Sequence, residues 1–394
     1  MNAPAPRPTA RGHVVALDGL RAFAVVAVIV YHSLDAQSSV VVDRVARAGW
    51  VGVDLFFVLS GFLITGILLD AKNSPRYFRN FYIRRTLRIF PLYYAVLVAA
   101  LVIAPHVLPV TPEVDAILAK QGWLWAYAQN IEEFVHGRQA WRGGWLQLNH
   151  LWSLCIEEQF YLVWPTVVLL ASRRALVAIA LGIVVASPIL RAALLHGGVL
   201  PEAVYTFTPC RLDTLAVGAL LAVLVRVRPE RAPAVARGLL ALGGAATLAV
   251  VVVAGGLPAR DPVVQVAGLS ALALAFGGVV LAVVQPGGAP RWLAHPALTT
   301  VGKYSYAIYL LSYLCDPLFA SVYKIDRVAA LVHSRTLAVF GFTAFEIAAS
   351  IGLAAISWNL FEKHFLKLKD RWAPTHQNAA RSARSTSSGA SDIG

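Results

Sequence analysis

Charge is scarce in this chain. Of its 394 residues only 14% are Asp, Glu, Lys or Arg, against roughly 25% in an ordinary soluble domain. Hydrophobic residues make up 58%, and the mean hydropathy is +0.65. They gather in long blocks, which excludes a soluble domain with one large core and points to an integral membrane protein. Cysteine is rarer still. Cys155, Cys210 and Cys315 sit inside or at the edge of apolar blocks, so there is no disulfide framework and no zinc or redox spacing, and no metal is expected. Acidic residues number 21 against 34 Lys and Arg, a net charge of +13. That sign suits nucleic acid as well as lipid, but its placement follows the membrane, and no nucleic-acid partner is expected. The first apolar run lacks a small-residue cleavage site and is too long for a signal peptide, so it reads as a retained span. No internal repeat is visible.

What is present is a series of blocks long enough to cross a bilayer, about 20 residues each. They fall at roughly 14–34, 50–70, 89–105, 151–171, 174–190, 209–225, 237–256, 264–284, 304–322 and 336–357. The expected fold is therefore all-α, a polytopic bundle of about ten transmembrane helices. An even number puts both termini on one side. With the termini cytoplasmic, 22 Lys and Arg fall on inner segments and 10 on outer ones, which is the orientation the positive-inside rule selects. The densest inner cluster is "KNSPRYFRNFYIRRTLR". Residues 1–13 and the basic tail 366–394 are expected to be disordered, leaving one transmembrane domain over 14–365. The longest connection, about 106–150, lies outside and carries Trp123, Trp125, Trp141 and Trp145. These suit either sugar stacking or an interfacial aromatic belt.

Ionisable residues inside the blocks are the candidate chemistry, because hydrocarbon makes them costly. In "LDGLRAFAVVAVIVYHS", Arg21 and His32 are 11 residues apart. At about 100° per residue they share one helix face, on the order of 16 Å apart along the axis. Two readings stand for them: a snorkelling arginine with a histidine bonded to a carbonyl, or the two ends of a polar path. Asp54 lies near the outer end of the second block, at the expected depth of His32, where a carboxylate fixes an imidazole's tautomer. It equally suits a wet vestibule or a pair with Arg44 or Arg47. The fourth block opens "NHLWSLCIEEQFYLVWP", with His150 at its mouth and Glu157 and Glu158 one to two turns in. Neighbours point about 100° apart, so only one glutamate faces a given cavity squarely. Arg211 and Asp213 open the sixth block, as structural ion-pair residues across turns or helices or, with His150, as substrate contacts. On the inner side, Arg85 and Arg88 share a helical face of the kind that holds phosphates. Basic groups at one end and a base at the other suit a long anionic donor that threads its reactive end outward. Acyl-coenzyme A has that shape, although spacing alone does not identify it.

Seven motifs in order, "LDGLRAFAVVAVIVYHS", "GWVGVDLFFVLSGFLIT", "FYIRRTLRIFPLYY", "HLWSLCIEEQFYLVWP", "CRLDTLAVGALLA", "VGKYSYAIYLLSY" and "WNLFEKHF", resemble the membrane acyltransferases of the acyltransferase-3 family. That family includes O-acetylases of lipopolysaccharide, peptidoglycan and exopolysaccharide. The resemblance runs from residue 14 to about 365. It implies an acyl-coenzyme A donor, most plausibly acetyl-CoA, and an acceptor hydroxyl on the far side of the bacterial inner (cytoplasmic) membrane. It also implies donor binding by Arg21, Arg85 and Arg88, His32 as the catalytic histidine and Glu157 as the acidic residue. Asp54 and the Arg211/Asp213 pair occupy matching positions. Where the family often has histidine in the "SYAIYLLSYL" stretch, this chain has Ser312. Two alternatives remain open at this level: a small-molecule acceptor such as a macrolide, and a transporter of glycan or anion.

Overall fold

A computed structural model describes residues 14–34, 47–137 and 141–373, apart from the side chain of Asp370. The segments expected to be disordered, 1–13 and the tail from 374, lie outside the described residues, as does Arg44. The described chain is helical almost throughout, and its one sheet is a hairpin of Arg142–Gly143 with Leu146–Gln147. In chain order the principal helices are α1 (Val15–Leu34), α2 (Gly52–Ala71), α3 (Tyr77–Leu97), α4 (Pro112–Ala119), α5 (Gln129–His136), α6 (Trp152–Leu170) and α7 (Arg173–His196). They are followed by α8 (Leu212–Val227), α9 (Ala232–Ala254), α10 (Leu269–Val283), α11 (Pro296–Lys303), α12 (Ser305–Tyr323), α13 (Ile325–Val332), α14 (Arg335–Ser357) and α15 (Lys363–Trp372).

Each of the ten expected blocks coincides with one of these helices. Eight are long and apolar enough to cross a bilayer. The two that fall short are α8, with 16 residues, and α12, which carries Asp316, Pro317 and several tyrosines. The chain is an all-α polytopic membrane protein. Its lipid-facing surfaces are apolar, with Leu162, Leu248 and Val252 exposed on the outer faces of α6 and α9. One boundary moves: residues 366–372, expected to begin the disordered tail, are helical in α15.

Local chemistry sets the helix ends. Ser172 stands extended before α7 and its hydroxyl accepts from the Ala175 N–H at 3.2 Å. Thr111 does the same for α4, with Pro112 at the first helical position where no donor is needed. Pro165 inside α6 removes a backbone donor, and two tyrosines of α3 reach nearby carbonyls: Tyr82 donates to Leu162 and Tyr77 to Pro165, each at 2.9 Å. These two bonds tie α3 to α6 beside the proline. α2 crosses α8 so closely that a Cβ on Gly61 would strike the Leu215 carbonyl, and one on Gly218 the Val58 carbonyl. Glycine at both positions is what lets the backbones meet.

The 106–150 connection folds over one end of the bundle. Trp141 is fully buried there, donating to Glu132 at 3.0 Å with Lys120 4.2 Å above its ring. Burial removes it as a sugar platform. Glu133, beside it, is enclosed; Gln129 donates to it at 2.9 Å, and burial pushes its carboxyl up to about 7.

Candidate active site

The helix α1 carries Arg21 and His32 as expected, and the two sit in different surroundings. Arg21 pairs with Asp18 one turn away at 2.8 Å and lines two adjoining cavities. The wider, about 440 Å³, is walled by Asp18, Asp70, Arg84, Arg226, Lys303 and Lys369 among others. The narrower, about 100 Å³, is lined by Ser60, Ser153, Glu157, Tyr161, Tyr306 and Tyr309. Arg21, Arg85 and Arg88 line both. Arg88 is within electrostatic range of the other two. Arg85 and Arg88 make no close ion pair among the described residues. Glu157 and Glu158 lie within electrostatic range of Arg85, and Asp18 and Glu362 of Arg88. Guanidinium groups lining a cavity in this way suit an anion.

The narrow cavity follows helical periodicity. Val53, Phe56, Phe57 and Ser60 line it from one face of α2, and Ser153, Leu154, Glu157 and Tyr161 from one face of α6. Glu157 faces it and Glu158 does not, as their 100° divergence demands. Ser60 donates to Glu157, Tyr161 donates to Ser60 at 3.1 Å, and the Arg85 guanidinium lies 4.9 Å above the Tyr161 ring.

Tyr309 and Ser153 carry this lining to the histidines. Their hydroxyls are 2.6 Å apart, and Tyr309 donates to the His150 carbonyl at 2.9 Å. The His150 Nε2 lies 3.2 Å from the Leu310 carbonyl. A carbonyl only accepts, so Nε2 carries the proton and Nδ1 presents a buried lone pair with no partner. His32 lies beyond. Its ring is 4.3 Å from Tyr313 and 5.1 Å from Tyr31, Tyr313 is also 5.2 Å from the His150 ring, and the two histidines are within electrostatic range. Arg142 of the hairpin is within range of His32 as well.

Two expectations need correcting, and a third is resolved between its alternatives. Asp54 does not stand as the orienter of His32: its carboxylate accepts from Arg211 at 2.8 Å, both side chains wholly enclosed. Glu157 orients no histidine either, since its partners are Ser60 and the arginine-side groups. Of the readings of Arg211 and Asp213, the structure shows ion pairing across helices, and neither residue lines either cavity. Phe57, Trp152 and Tyr205 surround the Arg211 guanidinium at 5.6, 5.7 and 4.7 Å. Asp213 accepts from Arg191 at 2.9 Å and from Ser270 at 2.7 Å. The reason is shared: a charge in the bundle interior is held by an opposite one from another helix, and these pairs pin α8 to α2, α7 and α10. Ser312 is buried on α12 beside Tyr313.

Sequence reasoning passed over Tyr309, Tyr313, Ser153, Ser60 and Tyr161. Two of these carried a usable signal. Ser153 is one turn before Glu157, and Tyr309 one turn before Tyr313, so each shares a face with a group of interest.

Fold and site define a polytopic membrane protein with two adjoining arginine-lined cavities, the narrower reaching Tyr309, which is bonded to His150. The chain belongs to the acyltransferase-3 family: that family's model, described as an acyltransferase domain, matches residues 14–358. The peptidoglycan O-acetyltransferase OatA of Listeria monocytogenes is 31% identical over 340 residues, covering 80% of this chain and 51% of the relative. The putative peptidoglycan O-acetyltransferase YrhL of Bacillus subtilis is 30% identical over 369 residues, covering 89% and 54%. A putative O-acetyltransferase of Staphylococcus aureus is 26% identical over 378 residues, covering 90% and 58%. The chain thus spans about half the length of the curated relatives it matches. No solved structure shows a significant match.

Proposed function

We propose that this chain is a membrane O-acyltransferase of the bacterial inner membrane, moving an acetyl group from cytoplasmic acetyl-CoA to a hydroxyl of a cell-envelope glycan. The observation that carries the reading is the pair of adjoining cavities, both lined by Arg21, Arg85 and Arg88, with Tyr309 of the narrower one donating to the His150 carbonyl near His32. The arginine-rich end faces the cytoplasm, in line with the excess of Lys and Arg on that side. There Arg21, Arg85 and Arg88 hold the donor's phosphates while its thioester arm runs past Ser60 and Glu157.

The acceptor oxygen attacks the thioester carbonyl. A carbon–oxygen bond forms, the carbon–sulfur bond breaks, and His32 takes the hydroxyl proton as the thiolate leaves toward the arginines. His150, with Nε2–H fixed on Leu310, offers Nδ1 as a hydrogen-bond acceptor for a second, neighbouring hydroxyl of the glycan, since the attacking hydroxyl's one proton goes to His32. The names of the Listeria and Bacillus relatives favour peptidoglycan as the acceptor class, and nothing in the cavities favours a macrolide over a glycan. Mass spectrometry of envelope glycans with and without the gene tests the reading. Loss of acetyl mass supports it, and an unchanged acetylation pattern rejects the glycan acceptor.

A further inference from the structure

Glu346 lies in the interior of the bundle on α14, with none of its surface exposed. Neither of its carboxylate oxygens has a hydrogen-bond partner. Ser350, one turn along the same helix face, is also fully enclosed, and its hydroxyl is likewise without a partner. Asp316 of α12 reaches Glu346 electrostatically, and the Ser33 hydroxyl of α1 lies within its reach. No Lys, Arg or His pairs with either acid among the described residues. From α13, also packed on α14, Asp326 is occupied by Arg335 at 3.0 Å.

Proton accounting makes the arrangement specific. Thr343 Oγ1 donates to the Val339 carbonyl at 3.1 Å and lies 2.7 Å from Ser33 Oγ. A threonine hydroxyl has one proton. Either hydroxyl can be the donor of the Ser33–Thr343 bond; with the Thr343 proton on Val339 the bond uses the proton of Ser33, which then turns only lone pairs toward Glu346. In that arrangement an ionised Glu346 faces lone pairs and a second carboxylate inside the bilayer, with no cation paired to it among the described residues, which hydrocarbon does not tolerate.

We infer that Glu346, Asp316 and Ser33 form a binding site for one small monovalent cation, a proton or a sodium ion, on the His32 side of the bundle. Ser33 follows His32 in α1, and Asp316 is one turn beyond Tyr313, whose ring packs on His32. The cation supplies the positive charge between the two carboxyl groups, held by Glu346 and by the free lone pairs of Ser33. The inference is independent of the acyl-transfer reading, and its test uses no transfer assay.

The experiment is infrared spectroscopy with thermal melting of the full-length protein in lipid nanodiscs, in sodium-free buffer and then with sodium or choline chloride. In sodium-free buffer a protonated-carboxyl carbonyl band is expected that Glu346→Gln removes, and Ser33→Ala moves it to higher wavenumber as the acid loses its acceptor. A proton site keeps the band in sodium. A sodium site loses it as sodium, but not choline, is added, and the melting temperature rises saturably in wild type and not in Glu346→Gln. No Glu346-dependent band together with no sodium-dependent melting shift overturns the inference. Should Glu346→Gln fail to fold, a Ser33→Ala protein with the wild-type spectrum and wild-type sodium response overturns it equally.

Discussion

Replacing Asp54 by alanine removes the carboxylate bound to Arg211 at 2.8 Å. The guanidinium stays enclosed among Phe57, Trp152 and Tyr205, with its Nε and Nη1 already lacking hydrogen bonds. Breaking one side of a buried pair leaves an uncompensated charge and costs about 3–5 kcal/mol. The aromatic faces offset little, since each cation–π contact contributes about 0.5–2 kcal/mol and is already present in the parent. Asp54→Asn keeps one acceptor oxygen and should lose less. The double variant Asp54→Leu with Arg211→Met removes both charges, and such replacements are neutral or stabilising by about 1–4 kcal/mol. Unfolding in mixed micelles gives the stability, and acetyl transfer per folded molecule gives the activity. The single variant should be strongly destabilised, while the double variant recovers both folding and transfer. A double variant that folds as well as the parent but transfers no acetyl group would return Asp54 to the chemistry and refute the structural assignment.

Three further outcomes follow from the same geometry. Gly61→Ala drives a methyl group into the Leu215 carbonyl; overpacking of this kind costs about 1–3 kcal/mol, seen as a lower melting temperature, and an unchanged one would mean that α2 and α8 have room to part. Glu133 keeps its proton up to about 7 in the folded protein, whereas the unfolded chain releases it near the ordinary glutamate value. The native state therefore binds more protons across that window, and stability falls as pH rises from about 4.5 to 7 by up to about 3 kcal/mol. Denaturation across that range should show the slope in wild type and lose it in Glu133→Gln. Arg88→Ala should raise KM for acetyl-CoA about 10- to 100-fold with kcat little changed, as expected for loss of a charge-assisted contact of about 1.5–3 kcal/mol; an unchanged KM would remove Arg88 from the donor site.

Periodicity made part of this site readable in advance. The 11-residue spacing of Arg21 and His32 placed them along one helix, and the 100° step between Glu157 and Glu158 left one of them facing the cavity. Hydropathy located the helices because the bilayer requires about 20 apolar residues whatever the tertiary packing. Pairings between helices were beyond its reach. Asp54 and Arg211 are 157 positions apart, and nothing in either block indicates which opposite charge will face it once the bundle closes. Sequence left Arg211 and Asp213 pairing either across turns or across helices; two residues apart at the start of α8 they point to different neighbours, and their partners Asp54 and Arg191 arrive from α2 and α7. Tyr309 and Tyr313 were overlooked because aromatic residues are ordinary in an apolar span, and only the fold brings them against the histidines. The tail boundary was missed because the composition of 366–372 is polar, which suits disorder as well as a surface helix.

The central claim is that the histidine end of the path performs acyl transfer with a donor held at the arginine end. It is tested most directly by following labelled acetyl groups from acetyl-CoA to glycan acceptor in membranes carrying wild type or His32→Ala at matched levels of folded protein. The account predicts transfer by wild type and none above background by His32→Ala, with acetyl-CoA still bound by both. Transfer by His32→Ala at the wild-type rate would contradict it.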